Sequence, residues 1–318
     1  MSPSDSSPMK KPAWDVVVVG GANTDYLIRG NNMPAPGETV EGFEFQTAAG
    51  GKGANQAVAA ARLGARVAFV GRVGADQRGR ELIAQLKAEG VDCRYVVRDP
   101  RHATGTALIM VAGDGEKAIL TAPGANAHLA QADVRQAVRA ITGTRALLLQ
   151  FEAPKPVVLC AARLAHRHSA RVVLDPAPAS YAPGDELLRL VDLIKPNAHE
   201  AEALTGIRPR DRAGARRAGH RLLECGVKAA CIESGHAGNL LVWSGGEQWF
   251  PRIRVRTVDA TGAGDAYAAA FAVALAEGQP LPAAGRFANA AAALKTTRLG
   301  AQAGLPDRKS VLALTRKS

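Results

Sequence analysis

After a polar lead, the chain runs through four consecutive valines, Val16–Val19, and turns at Gly20-Gly21. A run this apolar has no polar side, so as a strand it must be covered on both faces. The pattern recurs: apolar runs at 67–70, Ala146–Gln150, 172–174, Leu193–Ile194 and 229–232 alternate with helical periodicity. The predicted helices cover 54–63, stopped by Gly64, and 76–89, stopped by Gly90, then 133–141, 157–166, a short stretch near Glu200, and Arg212–Glu224. Buried strands alternating with helices predict an α/β fold, a doubly wound, mainly parallel sheet sandwiched by helices.

Two segments break the alternation. Residues 26–49 are loop- and strand-like, with Pro34, Pro36 and Gly37. Residues 103–122 hold two apolar runs, 107–111 and 117–121, around Gly113-Asp114-Gly115, a strong hairpin signal. Together they predict a small antiparallel β-sheet outside the main one. Its apolar face needs cover, either over a ligand cleft as a lid or against a second subunit. A further hairpin, 240–243 with 248–250 around Gly245-Gly246, is expected at the edge of the main sheet.

The segment Asp259-Ala260-Thr261-Gly262-Ala263-Gly264-Asp265 follows an alternating, strand-like stretch at 252–257 and opens an Ala-rich helix toward Gly278. Small residues at a helix N-terminus leave backbone N–H groups unpaired and admit a ligand close to the main chain. The partial positive charge of the helix end adds to this anion hole. A carboxylate beside a phosphate is repelled, unless it takes a proton from the group that attacks that phosphate. Gly262, Ala263 and Gly264 as anion donors with Asp265 as base point to phosphoryl transfer to a hydroxyl. The competing reading is a tight turn and an acidic residue stabilising the first helical turn.

A second constellation is Gly50-Gly51-Lys52-Gly53-Ala54-Asn55. It departs from the P-loop pattern because Gly53 follows Lys52 where Ser or Thr would meet magnesium. The dinucleotide fingerprint is missing as well. What remains is a backbone open to close approach with an ammonium and a carboxamide beside it, donors suited to a polyhydroxylated substrate. Asn23 and Asp25 follow the first strand, where open α/β sheets bind ligands. Asn197 and Glu200 follow another strand end and suit the water shell of Mg²⁺ beside a triphosphate. Gly235 and Gly238 follow 229–232 as a loop to lie under a nucleotide.

Composition narrows the class. Net charge is +11 and aromatic residues are 4%, too few for a base-stacking platform, and the arginines are scattered over helix faces. An enzyme with anionic ligands fits better than a nucleic-acid binder. No apolar run approaches the ~18 residues of a membrane span, and residues 1–13 read as a disordered tail rather than a signal peptide. Cys93, Cys160, Cys225 and Cys231 lack metal-site spacing and suit buried positions in a reducing cytoplasm.

With these residues in view, the chain resembles the ribokinase-like (PfkB) carbohydrate kinase family over about 16–306, and both family signatures are present in order. The resemblance implies ATP-dependent phosphorylation of a sugar, ribose at its 5-hydroxyl before other sugars or nucleosides. It also implies a β lid over the sugar that often makes a homodimer contact. By position, Asn23, Asp25, Gly51, Lys52, Gly53, Asn55 and Glu152 would contact the sugar, with Asp265 as catalytic base. Asn197, Glu200, Glu233, Ser234, Gly235, His236, Ala237, Gly238, Gly264 and Asn289 would form the ATP and Mg²⁺ side. A potassium-type monovalent cation would use Asp259, Thr261, Lys295, Arg298, Gly300 and Gly304, largely through backbone carbonyls. Three positions depart from the family: Ala260, Glu233 where Thr is common, and Gly304 where a Ser oxygen is offered.

Overall fold

The computed structural model describes residues 13–179 and 182–316. The expected tail, residues 1–13, lies outside the described residues apart from Ala13. In chain order the strands are β1 (Val16–Val19), β2 (Asn23–Gly30), β3 (Gly42–Gly50), β4 (Val67–Gly74), β5 (Asp92–Asp99), β6 (Gly105–Val111) and β7 (Lys117–Ala122). They continue with β8 (Ala146–Gln150), β9 (Arg171–Asp175), β10 (Leu193–Ile194), β11 (Ala229–Glu233), β12 (Gly238–Trp243) and β13 (Gly246–Pro251). The helices are α1 (Lys52–Arg62), α2 (Gln77–Ala88), α3 (Gln131–Gln136), α4 (Val138–Thr142), α5 (Lys155–Arg167) and α6 (Asp185–Leu190). After them come α7 (Ala198–Thr205), α8 (Arg212–Glu224), α9 (Ala263–Ala276), α10 (Leu281–Lys295) and α11 (Arg308–Thr315).

Among the described residues, nine strands form one sheet in the order β13-β12-β11-β10-β9-β8-β1-β4-β5. It is parallel from β11 to β5, and β12 and β13 add antiparallel at the edge, where the Gly245-Gly246 hairpin was expected. The period-2 alternation of β1 sorts its valines into two cores. Val16 and Val18 belong to the core that includes α1, α2, α9 and α10, while Val17 and Val19 belong to the core on the opposite face, which includes α5 and α8. All four are fully buried, which is why the run carries no polar residue. Helices α2, α8 and α11 each begin with an aspartate, Asp76, Asp211 and Asp307, whose side chain accepts a backbone N–H of the first turn.

The second sheet, β3-β2-β6-β7, is the expected pair of insertions. It is mixed rather than antiparallel, because β2 and β6 run parallel from Asn23↔Gly105 to Arg29↔Val111. Each insertion folds back on itself as a hairpin, and the seam joining two such hairpins is free to take either direction. Two other expectations need correction. Residues 252–257 form no strand: β13 ends at Pro251 and the segment that follows pairs with no described strand. The helix over 133–141 is two short helices, because the Ala137 N–H is shared by the carbonyls of Asp133 and Val134 in a tightened turn. Cys93 and Cys231 are buried as expected, whereas Cys160 and Cys225 are partly exposed, and all four are free thiols. The scattered arginines pair locally on the surface, as Arg216 does with Glu247 and Arg221 with Glu224. No described helix is long and apolar enough to cross a membrane.

Candidate active site

Neighbouring parallel strands deliver their C-terminal ends to one edge of the main sheet. From β1 come Gly20 and Gly21, beyond β8 lies Glu152, β9 ends in Asp175, Lys195 follows β10, and β11 ends in Glu233. The polar residues are therefore laid out in strand order along one edge of the sheet.

At the β1 end, helix α1 enters almost in contact with the glycine turn. A Cβ on Gly53 would lie 2.8 Å from the Gly20 carbonyl carbon and 2.8 Å from the Gly21 oxygen, so only glycine admits this approach. The first turn of α1 is thereby set against the head of α9. Asn55 Nδ2 donates to Asp265 Oδ2 at 2.9 Å. Gln56 Nε2 donates to Asp265 Oδ1 at 3.0 Å and to Asp175 Oδ2 at 2.8 Å. The Lys52 ammonium lies 3.5 Å from Asp175 Oδ2 and 3.9 Å from Asp265 Oδ1, and the Lys52 backbone N–H donates to Glu152 Oε2 at 2.7 Å. Asn23 Oδ1 accepts from Asn126 Nδ2 at 2.8 Å, and Asp25 stands half-buried on β2 beside Gly50. Gly51 lies against Ala22 and Asn23. Every residue expected to touch the acceptor is in this cluster.

Its electrostatics follow from packing four acids around one lysine. Burial, with the charge of Asp265 adding to it, pushes the Asp25 carboxyl up to about 7. Burial likewise raises Glu152 to about 7, although Lys52 opposes the change. Burial lifts Asp265 above the usual carboxylate range; Lys52 opposes this and the Asp175 charge adds to it. Burial works to lower Lys52, but Asp175, Asp265, Glu152 and Glu200 together hold it above the usual lysine value.

At the β11 end, Gly262 caps α9 in the left-handed conformation, φ 84°, which turns the chain into the helix. The Ala263 N–H is spent on the Ala260 carbonyl at 3.1 Å, so it is not the donor the sequence suggested. Gly264 lines a cleft of about 390 Å³ with Lys195, Glu233, Gly235, Gly238 and Asn289. A Cβ on Gly264 would lie 3.4 Å from the Lys195 ammonium. That lysine is buried, and its ion pair with Glu233 Oε2 is 3.2 Å long. Burial works to lower it, while Glu233, Asp175 and Glu200 hold it above the usual lysine value. A buried ammonium beside a helix N-terminus is a pair of like-signed features, and an anion between them satisfies both.

The remaining nucleotide candidates separate. The Ser234 hydroxyl turns away to the Pro209 carbonyl at 3.0 Å. Asn197 caps α7: its Oδ1 accepts from the Glu200 N–H, and its own N–H and Nδ2 donate to the Glu200 carboxylate. Ala237 sits in a short turn and donates to the Ser234 carbonyl. The His236 side chain lies outside the described residues.

A model of the pfkB family carbohydrate kinases matches residues 14–308. The chain belongs to this family. It is 40% identical over 297 residues to a ribokinase of Haemophilus influenzae, covering 93% of this chain and 97% of that one. Ribokinase of Bacillus subtilis is 38% identical over 297 residues, 93% of this chain and 98% of the relative. Among solved structures, Arabidopsis thaliana ribokinase complexed with ribose and ATP superposes with a TM-score of 0.88 at 35% identity, over 96% of this chain and all of that one.

In this pfkB kinase the cation residues converge, though not as the resemblance implied. Lys295 is fully buried, and its ammonium donates to the carbonyls of Asp259 at 2.9 Å and Arg298 at 3.2 Å. Burial pulls this ammonium below the usual lysine value, and the Asp259 carboxylate 3.9 Å away opposes that. Thr261 donates to Asp259 Oδ1 from both its backbone and its hydroxyl, and Gly300 donates to Oδ2 at 3.0 Å. Burial tends to raise Asp259, yet Thr261, Lys117 and Lys295 hold it down to about 2. The side chain of Lys295, not its carbonyl, meets the Asp259 and Arg298 carbonyls, so its ammonium takes up two oxygens that a potassium ion would need there.

Sequence reasoning missed Asp175, Gln56, Gln302 and Lys195. Gln302 Nε2 donates to Asn55 Oδ1 at 3.0 Å and so orients the amide that faces Asp265. Asp175 and Lys195 did carry a signal, since each stands at the C-terminal end of a predicted strand beside a proline. Gln56 and Gln302 lie within ordinary helical and loop sequence, and only the tertiary fold reveals them.

Proposed function

We propose that this pfkB kinase transfers the terminal phosphoryl group of ATP to the 5-hydroxyl of D-ribose, giving ribose 5-phosphate and ADP. The observation that carries this reading is the Asn55–Asp265 hydrogen bond, 2.9 Å across 210 positions of sequence. It brings the two signatures together around one carboxylate. The names of the relatives, and the ribose and ATP of the Arabidopsis enzyme, support the choice of acceptor and donor.

In the reaction, sugar hydroxyls bind among Asn23, Asp25, Lys52 and Glu152, leaving the reactive hydroxyl at Asp265. Asn55 and Gln56 each hold one Asp265 oxygen, which fixes its direction. Asp265 takes the hydroxyl proton as the new O–P bond forms and the bond from phosphorus to the bridging oxygen of ADP breaks. The base contributes on the order of 10²–10⁴ in rate. Gly264 and Lys195 stabilise the charge on the transferring group from fixed positions.

Mg²⁺ fits the acids present. Burial, with the Asp175 charge, holds the Glu200 carboxyl above its usual range. Asp175 and Glu200 are oxygen donors of the kind Mg²⁺ takes through water, and the ion would screen the phosphates of ATP. Residues 14–318 would act as one cytoplasmic kinase unit, with the small sheet as its lid. The outer face of that sheet exposes Ile28, Phe43, Phe45, Leu108 and Leu120, which suits a homodimer contact.

An ADP-release assay across ribose, 2-deoxyribose, fructose and adenosine tests the function. Ribose should give the highest kcat/KM. If no acceptor accelerates ADP release, the reading fails.

A further inference from the structure

The ammonium of Lys295 is held by main-chain carbonyls beside a carboxylate. The side chain descends from the last residue of α10 and is fully buried. Its Nζ meets two main-chain carbonyls, Asp259 at 2.9 Å and Arg298 at 3.2 Å, and stands 3.9 Å from a carboxylate oxygen of Asp259. Those are the partners a spherical cation seeks: carbonyl dipoles plus one formal negative charge. Gly304 makes room for the lysine stem, because a Cβ there would come within 3.0 Å of Lys295 Cδ and 2.9 Å of the Arg298 oxygen.

We infer that Lys295 is a tethered substitute for a free monovalent cation, so that this kinase needs no potassium to hold its phosphate-binding loop. The inference rests on the kinase reading above. The ammonium acts through Asp259: the loop it fastens runs directly into Gly262 and Gly264. Val258 and Asp259 are tied to the same helix end by N–H bonds to the Thr296 carbonyl, 2.7 and 3.0 Å. Lys295 is thus a positioning residue that touches neither ligand. A second cation at the Asp259 and Arg298 carbonyls would face a like charge within a few ångströms, with both oxygens already engaged.

The test compares potassium chloride with tetramethylammonium chloride at equal ionic strength. The wild-type kcat should agree within about two-fold between the two salts, and the melting temperature should show no potassium-specific rise. Lys295→Ala should lose on the order of 100-fold in kcat in tetramethylammonium, since a displaced loop misplaces the reacting group. Potassium or methylammonium should then restore the variant with a saturable dependence, a rescue that a purely structural role would not give. Strong potassium stimulation of the wild type, or a potassium-specific rise in its melting temperature, would overturn the proposal. So would a folded Lys295→Ala that keeps full activity in tetramethylammonium, or one that neither cation restores. Should the variant not fold, the two wild-type measurements still decide. A wild type that releases no ADP with any acceptor would remove the kinase reading, while the melting comparison would still judge the cation.

Discussion

The Lys117 ammonium, at the start of β7, lies 3.1 Å from Asp259 Oδ1, so the small sheet is bonded directly to the loop that leads into α9. The Thr261 hydroxyl, 2.8 Å from the same nitrogen, completes the contact. If the sheet is the lid, this pair helps to keep it shut over the acceptor. Lys117 is substantially exposed, and such a pair is worth about 1 kcal/mol at most. Lys117→Met should therefore raise the apparent KM for sugar by up to about five-fold with kcat little changed. Steady-state kinetics at low and high salt check this; an unchanged KM would show that the contact does not bias closure.

Asp265→Asn keeps the shape of the side chain and removes its basicity. Sugar and ATP binding, measured by calorimetry, should survive while kcat falls by at least ~100-fold. Near-native turnover would exclude Asp265 as the base.

The raised carboxyls set a pH dependence of stability. Asp25 moves from 3.8 to about 7 and Glu152 from 4.5 to about 7. The folded state therefore binds more protons than the unfolded chain between those limits. The stabilisation from these groups is complete below about 4 and is lost as pH rises through about 7. Asp25→Asn should accordingly melt higher than the wild type at pH 8, with the advantage shrinking toward pH 4. Melting curves across that range decide it, and a gap independent of pH would contradict the assignment.

Gly53→Ala tests the close approach of α1 to the glycine turn. The clash is with backbone, which cannot rotate away as a side chain would. A loss of about 1–3 kcal/mol is expected, together with a fall in kcat as Asn55 and Gln56 withdraw from Asp265. Denaturant unfolding and kinetics report the two effects separately.

The outer face of the small sheet gives a prediction about assembly. Ile28 and Phe45 pair directly across β2 and β3, as do Leu108 and Leu120 across β6 and β7, all on one face. Phe45→Ser combined with Leu120→Ser should shift a dimer toward monomer in analytical ultracentrifugation without unfolding the main sheet. A wild type that sediments as a monomer at micromolar concentration would remove the dimer proposal.

Much of this architecture is legible in local sequence, and the reasons are physical. Val16–Val19 can only be an interior strand. Gly113-Asp114-Gly115 between two apolar runs can hardly be anything but a hairpin. The two glycine motifs announce close approach wherever they occur. What local pattern does not carry is a choice between partners distant in sequence. Residues 252–257 alternate as a strand should, yet they pair with no described strand, although β13 at the sheet edge has an open side. Asp175 meets Gln56 from 119 positions away, and nothing near either residue encodes the distance. Lys295 is the instructive miss. The resemblance implies a role for backbone carbonyls at this position, although a lysine closing a helix of alanine, phenylalanine and leucine must place its charge somewhere.

The direction of β2 relative to β6 has a consequence for how the chain assembles. Its seam unites residues 23–29 with 105–111, and everything between, including β4, α2 and β5, has to be made before the two hairpins can meet. Closing so long a loop is entropically costly, and the ladder returns little until its register is complete. Amide protons along β2 and β6 should therefore be the last to gain protection during refolding, and in the native protein they should exchange sooner than those of β1.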